Sequence, residues 1–136
     1  MSEKIYYKSG FKYQLSREYQ VVTPLLGYTI TTDYISLNEW GLLTIRKGYA
    51  WDGPSGPTVD TKNFMRGSLI HDALYQLLRM GLLPETERFI VDKILQLSCI
   101  EDGMSKIRAW YVFQGVDKFA ASAASPSNTK KEHSAP

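Results

Sequence analysis

The clearest pattern in the chain is FMRGSLIHDALYQLLRMG at residues 64–81. Its apolar residues recur every three to four positions, which places them on one broad face of a helix. The residues on this face are Ile70, Leu74, Leu77 and Leu78. Gly81 provides a natural stop, because glycine readily adopts the left-handed conformation that ends helices. The stretch therefore predicts a helix over residues 65–80.

Two more helices are predicted downstream. The second runs from Pro84 to about Ser98, with acidic residues near its positive N-terminal end. The third runs from about Met104 to Ala120. The residues expected to make core contacts are Ile90, Ile94, Leu95 and Leu97 in the second helix, and Trp110, Tyr111 and Phe113 in the third.

The chain before about residue 51 is rich in Tyr, Val, Ile and Thr and is broken by Gly and Pro, which is typical of short strands joined by turns. The predicted strands cover residues 4–7, 13–15, 19–23, 29–31, 34–37 and 42–45. Residues 51–61, WDGPSGPTVDT, hold two Gly and two Pro and predict a loop. We therefore expect one α+β domain over residues 1–120, a small antiparallel β region followed by two or three packed helices.

Length and composition narrow the possible classes of protein. A chain of 136 residues, 43% of them hydrophobic, can bury the core of a single globular domain. The net charge of +2 is far from the clustered excess of a dedicated nucleic-acid binder, so no specific nucleic-acid partner is predicted. The polar N-terminus and the lack of a long apolar run predict neither a signal peptide nor a transmembrane segment, and hence synthesis in a cytoplasm.

Cysteine and histidine are scarce. The single cysteine, Cys99, permits no internal disulfide and lies in an apolar pattern, so we expect it to be a small buried residue. The two histidines, His71 and His133, argue against sites built from several imidazoles. Residues 121–136 are mostly Ala, Ser, Pro, Asn and Thr with a few charges, and are predicted to be disordered unless a neighbouring chain orders them.

One group of residues could carry chemistry. His71 and Tyr75 are four positions apart and share a helix face, whereas Asp72 points about 100° away. If the second helix packs antiparallel to the first through the short connection at 81–84, Asp92 comes alongside His71. From spacing alone, an ordinary packed or surface histidine beside a solvated carboxylate is the more common arrangement.

The chemistry that such a group supports is specific. A neutral imidazole can take a proton from water, and a carboxylate beside it can hold the imidazole tautomer and stabilise the imidazolium. A cation could polarise a scissile carbonyl. Calcium fits, because it accepts roughly six to eight oxygen ligands, which a carboxylate and the carbonyls of a kinked loop can supply.

Two motifs carry a resemblance. The segments GYAWDGPSGP at 48–57 and RGSLIHDALY at 66–75 resemble a family of small phage and prophage proteins, with similarity over roughly residues 28–117. The resemblance implies a phage or prophage origin, synthesis in the host cytoplasm and a possible place in the virion. The tail at 121–136 would then contact other virion proteins.

A more distant resemblance concerns chemistry. Secreted calcium-dependent phospholipases have a Gly-rich calcium loop shortly before a helix bearing His-Asp-x-x-Tyr. The resemblance implies that His71 is the base, Asp92 its orienting carboxylate and Tyr75 a supporting hydrogen-bond donor. It also implies a calcium site and a lipid surface as partner. The implied calcium ligands are Asp72 and the loop residues Asp52, Gly53, Ser55 and Gly56.

The chain departs from those phospholipases in three respects. Their helices are usually joined by disulfides, whereas Cys99 has no mate, and the β-rich first third has no counterpart in the small phospholipases. The loop is also poorer in Gly than the phospholipase loop and is stiffened by Pro54 and Pro57. Two hypotheses therefore stand at the level of sequence. The protein is either a calcium-dependent lipid ester hydrolase or a non-enzymatic virion or assembly component that keeps the motif for its structure.

Overall fold

The computed structural model describes residues 5–8, 13–51 and 62–123, and gives an α+β fold in which small antiparallel sheets precede three helices. A three-stranded sheet has the order β1-β2-β7, and a four-stranded sheet has the order β3-β6-β5-β4. The strands are β1 (Tyr7–Lys8), β2 (Tyr13–Leu15), β3 (Tyr19–Val22), β4 (Ile30–Thr31), β5 (Ile35–Leu37), β6 (Leu42–Ile45) and β7 (Ala50–Trp51). The fold class predicted from the sequence is confirmed.

The four-stranded sheet follows the expected alternation of buried and exposed residues. In β3, Tyr19 and Val21 are buried whereas Gln20 and Val22 are exposed, because successive side chains of a strand point to opposite faces. The turn before β6 needs glycine. Gly41 has a φ of +84°, and a Cβ at this position would lie 2.1 Å from the carbonyl oxygen of Thr23.

The helices are α1 (Lys62–Arg79), α2 (Arg88–Glu101) and α3 (Lys106–Ala123), and a 3₁₀ turn (Glu85–Glu87) precedes α2. The predicted apolar face of α1 is buried, and Gly81 follows the helix with a φ of +75°, as expected. The second helix was predicted to begin at Pro84, but α2 begins at Arg88. The backbone N–H of Glu87 bonds to the carbonyl of Pro84, which forms a tight turn before the helix.

Two boundaries extend beyond the prediction. α2 continues past Ser98 to Glu101 and is followed by Gly103 with a φ of +103°. α3 reaches Ala123, three residues into the segment predicted as a tail. The rest of that tail lies outside the described residues. β7 was not among the predicted strands, because two residues are too few to show a period.

The core forms two apolar clusters. The larger joins the sheets to α1 and to the first half of α2, and the smaller joins the start of α1 to α2 and α3. Cys99 is fully buried in the smaller cluster, as predicted. None of the helices in the described ranges is long and apolar enough to cross a membrane.

Three expected core residues lie at the surface. Leu97, Trp110 and Tyr111 are 58%, 49% and 65% exposed, whereas Phe113 is buried as expected. The expectation for these three was wrong, because α2 and α3 bury one side each and their apolar residues extend around to the other side. The buried side of α3 carries Ala109, Val112 and Phe113.

Candidate functional site

The contact between α1 and α2 brings three of the predicted site residues together. His71 and Tyr75 on α1 both face Asp92 on α2. His71 Nε2 lies 2.8 Å from Asp92 Oδ1, and the Tyr75 hydroxyl donates to the same oxygen at 3.0 Å. The rings of His71 and Tyr75 are tilted by 33° to each other, with centroids 4.3 Å apart. The adjacency that the helix pattern suggested is therefore present.

Burial is graded across this group. Asp92 is fully buried and Tyr75 is 4% exposed, whereas the His71 side chain keeps 12% of its surface exposed. The carboxylate therefore lies behind the imidazole, away from water. A buried carboxylate needs donors, because an ionised group without compensation is costly to remove from water. His71 and Tyr75 supply two of them.

The hydrogen bonds determine which nitrogen of His71 can act. A carboxylate oxygen accepts, so the neutral imidazole carries its proton on Nε2 and leaves a lone pair on Nδ1. Within the described ranges, no group hydrogen-bonds to Nδ1. The imidazole is thus held by one nitrogen, and its other nitrogen can accept a proton.

Tyr75 acts as a fixed donor in this group. Burial raises the pKa of its hydroxyl well above the ordinary value of 10.0, and the negative charge of Asp92 raises it further. The phenol therefore keeps its proton at neutral pH and continues to donate to Asp92.

The second oxygen of Asp92 has a different environment. Oδ2 is buried, and no hydrogen-bond partner for it is found among the described residues. Arg88 Nη1, one helical turn earlier on α2, lies 3.9 Å from it. Arg88 is held by Glu85 on the 3₁₀ turn at 2.8 Å and by Asp117 on α3 at 3.3 Å. Arg88 thus compensates the buried charge without saturating it.

The implied calcium ligands divide between two regions. Asp72 on α1 is half-buried and engaged in an interaction of its own. The implied loop ligands, Asp52, Gly53, Ser55 and Gly56, lie outside the described residues. In the described part of the chain, no group of three or more His, Cys, Asp or Glu side chains is placed to hold a metal. Asp72 alone does not make a calcium site.

Trp51 was predicted to be the first residue of the loop, but it is the last residue of β7 and anchors that strand to α1. Its indole Nε1 donates to Ser68 Oγ on α1 at 3.0 Å, and Ser68 Oγ donates to the carbonyl of Met65 at 2.8 Å. Trp51 is 3% exposed. The last residue of β7 is therefore fixed to α1 one turn before His71.

Sequence reasoning missed two arginines. Arg88 lies four positions before Asp92, a spacing at which opposite charges meet on a helix, so this signal was available. Arg66 interrupts the apolar run of α1 and is only 3% exposed. It donates to Glu101 at the end of α2, to Asp102 directly after the helix and to the hydroxyl of Tyr19 on β3. A charged residue among apolar neighbours was the signal for a buried ion pair.

Comparison of the chain with protein-family models, with curated proteins and with solved structures found no match.

Proposed function

We propose that the protein is an ester hydrolase in which His71 is the general base, positioned by Asp92 and Tyr75. The observation that carries the proposal is the 2.8 Å contact between His71 Nε2 and a fully buried Asp92 oxygen. It leaves Nδ1 as the acceptor on a ring that is still partly exposed. The arrangement provides an oriented base with a stabilising carboxylate, which is what activation of water requires.

The proposed reaction consumes only water and the ester. Nδ1 of His71 takes a proton from water as the water oxygen bonds to the ester carbonyl carbon. Asp92 stabilises the imidazolium through Nε2, and Tyr75 holds the carboxylate in place. When the tetrahedral intermediate collapses, the bond from carbon to the alcohol oxygen breaks, and Nδ1 returns the proton to that oxygen.

The substrate class is the part of the proposal that rests on resemblance. The motif at 71–75 resembles that of calcium-dependent phospholipases, so the proposed substrate is a lipid ester. Asp72 and the loop at 52–57 are the residues that would hold calcium. When bound, the ion would supply positive charge to the carbonyl oxygen.

The test is hydrolysis of mixed phospholipid vesicles by the purified full chain, with calcium and with a chelator. His71→Gln is expected to lower the rate at least about 100-fold, because the general base is lost. His133→Gln, at the only other histidine of the chain, is the matched control and should retain the rate. A folded His71→Gln protein with full activity would contradict the proposal.

A second candidate is favoured by the burial of the group. Because Asp92 and Tyr75 are almost completely buried, the network could serve to join α1 to α2 in a non-enzymatic phage or prophage protein of the virion or its assembly. This candidate predicts no hydrolysis by the wild type. It also predicts that removal of residues 124–136, which leaves α3 intact, weakens binding to other virion proteins; normal assembly of the shortened chain would count against it.

A further inference from the structure

The outward side of α3 carries an apolar patch that the proposed reaction does not use. Ile107, Trp110 and Tyr111 are 72%, 49% and 65% exposed. Their spacing of three and four positions places them side by side on one helix face. The rings of Trp110 and Tyr111 contact each other with centroids 5.2 Å apart. We call these three residues, together with the exposed Lys106, the outer face of α3.

The opposite side of α3 is firmly packed, which keeps this face turned outward. Ala109, Val112 and Phe113 are buried against the neighbouring helices. The ring of Phe113 meets the edge of Phe89 on α2 at 5.6 Å, and Lys93 Nζ lies 4.4 Å above the Phe113 ring. Rotation of α3 to bury the outer face would break these contacts.

The exposed charge on the outer face is positive, because Lys106 carries it. Residues 103–116 contain no Asp or Glu. The carboxylates on either side are already bound: Glu101 and Asp102 to Arg66, and Asp117 to Arg88. A Trp and a Tyr beside an exposed lysine on one face of a helix suit the boundary between lipid headgroups and acyl chains.

We propose that the outer face of α3 binds the surface of an anionic lipid bilayer, with the helix lying in the plane of the interface. A second copy of the chain fits this face poorly. A twofold contact would bring Lys106 of both copies to the same interface, and residues 103–116 offer no carboxylate to pair with it. The inference extends the proposed function by naming the surface on which the lipid ester is met, but it stands on other residues.

The test is co-sedimentation of the full chain with vesicles of ether-linked phosphatidylglycerol and phosphatidylcholine. Ether lipids cannot be hydrolysed at their chains, so binding is measured apart from activity. The double variant Trp110→Ala/Tyr111→Ala is expected to partition about tenfold more weakly. Trp40→Ala removes a tryptophan that is 73% exposed in the turn before β6, and should bind as the wild type does. Added salt should weaken binding, since the charge contribution is screened.

Fluorescence locates the contact independently. In Trp40→Phe, the remaining tryptophans are the buried Trp51 and the exposed Trp110. Phosphatidylglycerol with brominated acyl chains should quench this protein. It should not quench Trp40→Phe/Trp110→Phe, because Trp51 is shielded by the core.

Three results would overturn the inference. The first is a wild type that does not co-sediment with phosphatidylglycerol vesicles at low ionic strength. The second is a double variant that binds as the wild type does. The third is a wild-type dimer, measured by light scattering, that the double variant converts to a monomer, since a second copy then occupies the face. If vesicle binding persists while neither wild type nor variants hydrolyse ester lipids, the proposed reaction is wrong and the lipid surface stands.

Discussion

Two clusters of polar side chains join α1 to α2, but they differ in how fully their polar atoms are paired. The Arg66 cluster consists of Arg66, Asp102, Glu101 and Tyr19, and the His71 cluster consists of His71, Tyr75, Asp92 and Arg88. Arg66 Nε donates to both oxygens of Asp102, at 3.2 and 2.9 Å. Its two terminal nitrogens donate to Glu101 at 2.7 Å and to the Tyr19 hydroxyl at 3.0 Å. Burial by itself lowers the pKa of Arg66, but these hydrogen bonds raise it above its ordinary value, so the guanidinium stays charged.

The His71 cluster is less complete. Asp92 Oδ1 accepts two hydrogen bonds, but buried Oδ2 accepts none from the described residues, and Arg88 remains 3.9 Å away. Buried polar atoms are nearly always paired, so an oxygen without a hydrogen-bond partner among the described residues lowers what the His71 cluster contributes to stability. Of the two clusters, the one around Arg66 is therefore expected to contribute more to the stability of the fold.

The largest expected effect on stability is that of Arg66→Ala. Removal of this side chain leaves Asp102 and Glu101 without their cation and opens space between α1, α2 and β3. The expected loss in the free energy of unfolding is about 3 kcal/mol. Urea denaturation followed by circular dichroism measures it.

Arg79→Ala is the matched control, because Arg79 lies exposed in the last turn of the same helix. Its expected effect is within about 0.5 kcal/mol. If both variants lost the same free energy of unfolding, Arg66 would contribute no more to stability than an ordinary surface arginine.

The next largest effect is a pH dependence of stability that arises from the Cys99 thiol. Cys99 is influenced by the charge of Asp102, which also binds Arg66. Burial, and then the charge of Asp102, raises the pKa of the Cys99 thiol from 9.0 to about 12. The native state therefore holds the thiol proton more tightly than the unfolded state. This contribution to stability is complete below pH 9.0 and is lost as the pH rises from 9.0 to about 12.

The measurement is urea denaturation at about pH 8 and about pH 10, with Cys99→Ala as the reference for all other titrating groups. From the lower to the higher pH, the free energy of unfolding of the wild type should fall more than that of Cys99→Ala. A disulfide reagent should react slowly with native Cys99, and faster in Arg66→Ala, where the packing beside it is loosened. Rapid reaction of the native wild type would contradict the burial of this end of α2.

The smallest expected effect on stability is that of Asp92→Asn. Asparagine keeps an acceptor for His71 and Tyr75 and removes a buried charge, so the free energy of unfolding should change by no more than about 1 kcal/mol. Under the proposed reaction, hydrolysis should nevertheless fall at least about 100-fold, since the imidazolium loses its stabilising charge. If Asp92→Asn lost as much free energy of unfolding as Arg66→Ala, and the wild type hydrolysed no ester, both clusters would have a structural role only.

Much of the fold could be predicted from local pattern. The predicted bounds of β2 and β6 match the structure, and α1 differs by three residues at its start and one at its end. These elements have a clear period or a clear stop. Leu97, Trp110 and Tyr111 were assigned to the core incorrectly, because the sequence shows which residues are apolar but not how many neighbouring elements are available to cover them.

The helix that carries His71 and Tyr75 and the small antiparallel β region could be predicted from the sequence, since their patterns depend on neighbours a few positions apart. Three features are visible only in the folded chain. Asp92 is fully buried with one oxygen that has no hydrogen-bond partner in the described part of the chain, Arg66 reaches Tyr19, and one side of α3 stays exposed. These features depend on the packing of α1 against α2 and of α2 against α3. That packing joins residues far apart in the chain, which no local period encodes.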